Sequence, residues 1–133
     1  EINISKDIKA SLWKKMISVG AFGTIMTSFR SSFGEITSSM YGEEVLRGTM
    51  NEILEIGKLD GVNLEDVDID KVVHGLKEES DSITSSMQQD LINSKPLEID
   101  NILGHVVVLS KKYNYPTPFS TTLVSSLQKF KEG

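Results

Sequence analysis

Met16-Ile-Ser-Val-Gly-Ala-Phe-Gly-Thr-Ile-Met26 decides the fold. Placed on a helix, its apolar residues Met16, Ile17, Val19, Ala21, Phe22, Ile25 and Met26 leave no polar face. A helix of that kind is surrounded by neighbours, so this one belongs near the centre of a helical assembly. Gly20, Ala21 and Gly23 would let neighbouring backbones come close, at some cost in helix propensity. The pair Gly20-x-x-Gly23 is no phosphate-binding turn, because no strand precedes it. The apolar run from Met16 to Phe29 is too short to span a bilayer, and Lys14, Lys15 and Arg30 flank it closely.

Working outward, Ser5 is a good cap and Asp7 supplies first-turn charge, so this helix is expected from there to about Phe29. Ser31 to Ser39 reads as a loop or short turn around Phe33-Gly-Glu-Ile36. A second helix follows from about Glu43 to Leu59, with Leu46, Met50, Ile53, Leu54 and Gly57 on one face and Gly61 as its terminating glycine. Asp66 or Asp68 caps a third helix carrying Ile69, Val72, Val73 and Leu76. A fourth covers Ile83 to Ile92. Pro96, tolerated in a first helical turn, predicts a new helix over Leu97 to Tyr113, capped by Ser94 or Lys95 and closed by Asn114. Tyr115-Pro-Thr-Pro118 must be extended. Thr117 and Pro118 then open a last helix, with Leu123, Val124, Leu127 and Phe130 inside. No segment alternates convincingly; Val106-Val107-Val108 is β-prone, but its helical flanks overrule it. The expected fold is all-α, a compact bundle of six or seven helices in one domain.

Composition bounds the chemistry. The 133 residues are 38% hydrophobic and 25% charged, ordinary for one soluble globular domain. Net charge is −5 with no block of like charges, which argues against a nucleic-acid surface. With no cysteine there is no disulfide frame, thiol nucleophile or thiolate metal site, a composition compatible with a cytosolic origin. His74 and His105 lack the spacing of a zinc site and read as structural. There is no signal-peptide pattern. The sequence starts at Glu1 and enters a helix almost at once, as a piece of a longer protein would.

Three polar residues carry a second meaning. Lys15 shares a helical face with Ile8, Leu12, Val19, Phe22 and Met26. It is either a lysine whose stem lies on apolar neighbours or a partly desolvated ammonium suited to giving a proton. Glu98 fits the first turn of its expected helix, where the exposed N–H groups favour a carboxylate. It also shares a face with Ile102, His105 and Leu109, which would point it at a core or cleft. Ser86 shares a face with Ser82, Gln89, Asp90 and Asn93, read as a solvated face or as a groove for a small polar ligand. No histidine stands where it would activate a serine, and no nucleophile elbow is present.

Taken in order, Trp13-Lys-Lys15, Phe33-Gly-Glu-Ile36, Ser85-Ser-Met-Gln-Gln-Asp-Leu91, Glu98-Ile-Asp-Asn-Ile-Leu-Gly104 and Tyr115-Pro-Thr-Pro118 resemble the C-terminal domain of the ketopantoate reductase (2-dehydropantoate 2-reductase) family. The Ser-Ser-Met block with its later Glu-Ile-Asp is the most specific part. The resemblance spans essentially the whole chain. It implies an all-helical domain similar to the C-terminal domain of 6-phosphogluconate dehydrogenase. A preceding Rossmann domain would bind NADPH, with the substrate in the cleft between the two domains. It implies that Lys15 is the catalytic lysine that protonates the carbonyl oxygen. Glu98 would be the acidic residue supporting that transfer and contacting the substrate hydroxyl, and Ser86 the serine that holds the substrate carboxylate. The implied reaction is NADPH-dependent reduction of 2-dehydropantoate to pantoate, in pantothenate biosynthesis, by a cytoplasmic enzyme. A homodimer is a further expectation.

The sequence departs from the family pattern at Val19 and Gly23, where the family usually has asparagines lining the substrate site. A reductase of the same fold acting on another 2-keto acid is the alternative this raises. A helical dimerisation module without catalytic duty is another, and Lys15, Ser86 and Glu98 together argue against it. No GxGxxG follows a strand, so this chain alone is expected to bind no dinucleotide and to have no reductase activity.

Overall fold

The computed structural model describes residues 4–133, and side chains from Ile8 onward. Every regular element among the described residues is helical. The first helical rod runs without interruption from Ile4 to Phe29 in three parts: α1 (Ile4–Lys15), a π turn (Met16–Gly20) and α2 (Ala21–Phe29). The helix is already under way at Ile4, and the side chains of Ser5 and Asp7, read as its cap and first-turn charge, lie outside the described residues. Arg30 ends the rod in the left-handed region, φ 49°.

Spacing explains the π turn. Trp13, Ile17, Ala21 and Ile25 are all buried and lie four residues apart. In an α-helix each such step overshoots a full turn by about 40°, so the stripe would drift off the core within three steps. A turn with i→i+5 bonding takes up part of that drift. Ile17 and Ile25 are 1% and 0% exposed, so the rod lies at the centre as its composition predicts.

Around it pack α3 (Phe33–Thr37), α4 (Met40–Leu59), α5 (Ile69–Glu78), α6 (Ser86–Ile92), α7 (Leu103–Tyr113) and α8 (Pro118–Leu127). The long α4 touches the rod, α3, α5, α7 and α8, and shares the centre with the rod. Its N-cap is Ser39, and Gly61 follows its end with φ 84°. Asp68 caps α5 by accepting from the Lys71 N–H at 3.3 Å.

Three expectations change. The segment read as a loop or short turn holds the five-residue helix α3, opened by a capping box in which Ser32 and Glu35 each accept from the other's N–H. The helix expected from Leu97 breaks into a 3₁₀ turn at Ile99–Asn101 and α7 from Leu103, joined through Ile102 at φ −112° and ψ −105°. Pro96 therefore opens no helix. Ser94 takes φ 57°, and the Leu97 N–H donates to the Lys131 carbonyl at 3.0 Å, which ties this stretch to the C-terminal turn rather than to a helix of its own. The fourth helix likewise starts at Ser86, after a 3₁₀ turn at Ser80–Ser82, so Ser82 shares no helix face with Ser86.

Pro118 stands at the first position of α8, as read, but Thr117 makes no capping hydrogen bond. The cap comes from α4 instead. The buried Glu52 carboxylate accepts from the Phe119 N–H at 2.9 Å, the Ser120 N–H at 2.7 Å and the Ser120 hydroxyl at 2.7 Å. A carboxylate at a helix N-terminus satisfies donors that have no partner within the helix.

Candidate active site

Along one side of the rod runs an open groove of about 430 Å³. The rod gives it Lys9, Leu12, Lys15, Val19 and Gly23, while residues around Ser86 and Asn101 come from other elements. Two of the three site residues named from the sequence, Lys15 and Ser86, thus line one groove.

Lys15 is exposed at the junction where α1 passes into the π turn. Such turns recur at functional sites because the wider winding re-aims side chains and loosens carbonyls. Here the Ser18 hydroxyl lies 3.3 Å from both the Lys14 and Lys15 carbonyls. Among the described residues the Lys15 ammonium has no ion-pair or side-chain hydrogen-bond partner. The sequence left open whether its head is desolvated; in the described chain it is exposed. Phe22 and Met26, placed on its face by simple helical spacing, are buried in the core. Ile8, Leu12 and Val19 are exposed by 54%, 59% and 46%, an apolar stripe flanking the lysine.

Ser86 reaches the groove because its neighbour is locked down. Ser85 is buried, donates its hydroxyl to the Gly23 carbonyl at 3.1 Å and caps α6 by accepting from the Gln88 N–H at 3.2 Å. Gln88 reinforces the join through its amide, which donates to the Met26 and Ser31 carbonyls at 3.2 and 3.3 Å. A Cβ at position 23 would stand 3.3 Å from the Ser85 oxygen, a tight contact that Gly23 avoids where α6 meets the rod. Gly20 does the same for the far wall, where a Cβ would come within 3.0 Å of Ile102 Cγ2. Ser86 itself is exposed.

Glu98 is placed differently. It precedes the 3₁₀ turn, outside α7, so the helical face it was to share with Ile102, His105 and Leu109 does not exist. It is exposed, and it is not among the residues that line the groove. Asn101 and His105, which follow it, do line the groove. Sequence reasoning passed over Asn101 and treated His105 as structural. The exposed His105 stands 6.2 Å from the buried Trp13 ring, which also lines the groove.

Among the described residues the groove lining carries Lys9 and Lys15 and no carboxylate, in a chain whose net charge is −5. Lys9 is held at the groove edge by Asp60, 3.5 Å away. The Tyr113 hydroxyl, 2.5 Å from Asp60, holds that carboxyl below its ordinary range, helped by the charge of Lys9. Among the described residues there is no cluster of metal-ligating side chains, and no helix is long and apolar enough to cross a membrane.

Three comparisons bear on this arrangement. The family model described as ketopantoate reductase PanE/ApbA, C terminal, matches residues 7–132. A 2-dehydropantoate 2-reductase from Lactococcus lactis subsp. lactis (strain IL1403) is 31% identical over 134 residues, covering 94% of this chain and 42% of the relative. Among solved structures, a dimeric ketopantoate reductase from Staphylococcus aureus superposes with a TM-score of 0.82 at 21% identity, over 98% of this chain and 44% of that one. D-mandelate dehydrogenase with NADH and anilino(oxo)acetate superposes with a TM-score of 0.79 at 22% identity, over 92% of this chain and 40% of that one. The chain therefore spans somewhat over two fifths of the length of the proteins it matches.

Proposed function

From the premise that the chain belongs to the ketopantoate reductase C-terminal domain family, we propose that it is the substrate-side half of an NADPH-dependent reductase of 2-keto acids. The proposed reference reaction is 2-dehydropantoate to pantoate, and a preceding Rossmann domain is its proposed partner. The observation that carries this reading is the groove. An exposed lysine with no ion-pair partner among the described residues shares it with an exposed serine, and the charged residues described in its lining are Lys9 and Lys15. That combination suits a small carboxylate with a reducible carbonyl beside it.

Lys15 places an ammonium where negative charge develops on the carbonyl oxygen, stabilises it and gives it a proton. Ser86 donates a hydrogen bond to the substrate carboxylate. Held by the proposed Rossmann domain, NADPH would supply the hydride that turns the 2-keto acid into a 2-hydroxy acid. The described residues contain no strand followed by a glycine-rich turn, so none is assigned to the dinucleotide. Lys15 regains its proton from the solvent to which the groove is open. Glu98 is proposed to hold the ammonium in place and charged once the cleft closes. Homodimers, as in the Staphylococcus aureus relative, are proposed for the complete enzyme.

The test is an assay of the full-length protein with NADPH against a panel of 2-keto acids. Oxidation of NADPH that depends on one of them supports the reading, and its absence across the panel refutes it. The isolated domain should show neither turnover nor calorimetric NADPH binding; micromolar binding would overturn the division of labour.

A further inference from the structure

We propose that Asn101 is a specificity-determining residue of the groove, which reads a hydroxyl on the substituent of the 2-keto acid through its carboxamide. The inference deepens the reading of the groove given above and rests on it. Most other polar side chains of the lining are already engaged. Lys9 pairs with Asp60 at 3.5 Å. The Thr24 hydroxyl donates to the Gly20 carbonyl at 2.7 Å, and the Ser85 hydroxyl to the Gly23 carbonyl at 3.1 Å. Lys15 and Ser86 are given to the carbonyl oxygen and the carboxylate. His105 lies beside the Trp13 ring, with centroids 6.2 Å apart. Asn101 is left. It is exposed, it lines the groove, and among the described residues its side chain has no hydrogen-bond partner. A carboxamide both donates and accepts, as a hydroxyl does, so the two can satisfy each other in either sense.

Asn101 is positioned much as Ser86 is. Ser85 meets the rod at Gly23, and the next residue, Ser86, is exposed in the groove. Ile102 meets the rod at Gly20, where a Cβ would come within 3.0 Å of its Cγ2, and the preceding residue, Asn101, is exposed in the groove. Asn101 also ends the 3₁₀ turn at Ile99–Asn101, so the break before α7 sets its place. The family resemblance gives the substrate hydroxyl to Glu98, which does not line the groove, whereas Asn101 does. A hydroxyl that leaves water for the groove loses hydrogen bonds, and Asn101 restores one. The discrimination expected from that bond is roughly ten- to a hundred-fold in kcat/KM.

A matched pair tests it, since 2-dehydropantoate differs from 3,3-dimethyl-2-oxobutanoate by a single hydroxyl. Both would be assayed with NADPH and the full-length protein, in the wild type, Asn101→Leu, Asn101→Ser and Glu98→Gln, with folding checked by thermal unfolding. The wild type should use 2-dehydropantoate at least about tenfold better. Asn101→Leu should bring the ratio near one by lowering kcat/KM for 2-dehydropantoate alone, and Asn101→Ser, which keeps a shorter hydrogen-bonding group, should fall between. Glu98→Gln should slow both compounds and leave their ratio unchanged. A wild type indifferent to the hydroxyl, a ratio unmoved in folded Asn101→Leu, or a ratio lost in Glu98→Gln instead overturns the inference while leaving the reductase reading intact. Turnover of neither compound by the wild type overturns the inference, and failure across the whole panel of 2-keto acids overturns the reductase reading with it.

Discussion

Glu52 and Lys15 are both charged residues on central helices, yet their surroundings are opposite. Glu52 is buried and accepts three hydrogen bonds at the start of α8. Lys15 is exposed in a groove, and among the described residues its ammonium has no partner. A buried polar group must be satisfied where it sits, so it serves the fold. A polar group left open beside apolar neighbours has its hydrogen-bonding capacity free for a ligand. The contrast predicts that damage at the first site is read in stability and damage at the second in turnover.

Breaking the Glu52 junction has the largest expected effect on stability. Glu52→Ala strands two backbone N–H donors and a hydroxyl in the interior, at a cost of about 2–5 kcal/mol in denaturant unfolding. Glu52→Gln keeps one acceptor oxygen and should lose less. A loss below about 1 kcal/mol in Glu52→Ala would mean that water replaces the carboxylate and that the junction is not structural.

On the groove side, Ser86→Ala should raise the KM for a 2-keto acid roughly ten- to a hundred-fold, the worth of one hydrogen bond to a charged group. Unfolding should shift by no more than about 0.5 kcal/mol, as for other exposed substitutions. An unchanged KM would remove Ser86 from the site. Gly57→Ala crosses the comparison. Its Cβ would stand 2.6 Å from Leu64 Cδ1 and 2.8 Å from Trp13 Cε3, so overpacking of about 1–3 kcal/mol is expected. Because Trp13 also lines the groove, this core substitution should also lower kcat/KM, which thermal unfolding and kinetics together would reveal.

The smallest effect concerns pH. The folded-state pKa of Asp60 is lowered by the Tyr113 hydroxyl and then by Lys9. Its stabilising contribution is therefore complete above the ordinary carboxyl range, about pH 4, and is lost as pH falls through the lower folded value. Unfolding measured from about pH 5 down to pH 2 should have a shallower acid limb in Asp60→Asn than in the wild type. Identical limbs would show that the Tyr113 contact does not persist in solution.

The helical class, the central rod, an aspartate cap at 66 or 68 (Asp68 in the structure) and Pro118 at the head of α8 were legible because each depends on neighbours close in sequence. The capping box of α3 was equally local, a Ser-x-x-Glu spacing passed over because the surrounding residues are small and polar. Other features had no local signal. Glu52 meets Ser120 across 68 residues, and Ser85 meets Gly23 across 62. The break before α7 lies at Ile102, φ −112° and ψ −105°, and the preceding stretch bonds to the C-terminal turn through Leu97 and Lys131, a tertiary contact with no local signal. That break is also why Glu98 lost the helical face on which its cleft-facing position was argued. Lys15 and Ser86 both line the groove, on elements far apart in sequence. Glu98 did not join them in the groove, and its role remains a proposal for the closed enzyme.

The central claim is that an open lysine performs the chemistry while the buried junction only holds the frame. Single-turnover reduction of a 2-keto acid by full-length protein bearing Lys15→Ala, with thermal unfolding followed on the same sample, tests it most directly. The hydride-transfer rate should fall by roughly two to four orders of magnitude, the usual worth of a positioned general acid, with the unfolding temperature unchanged. A near-normal rate in a folded Lys15→Ala protein would contradict the account.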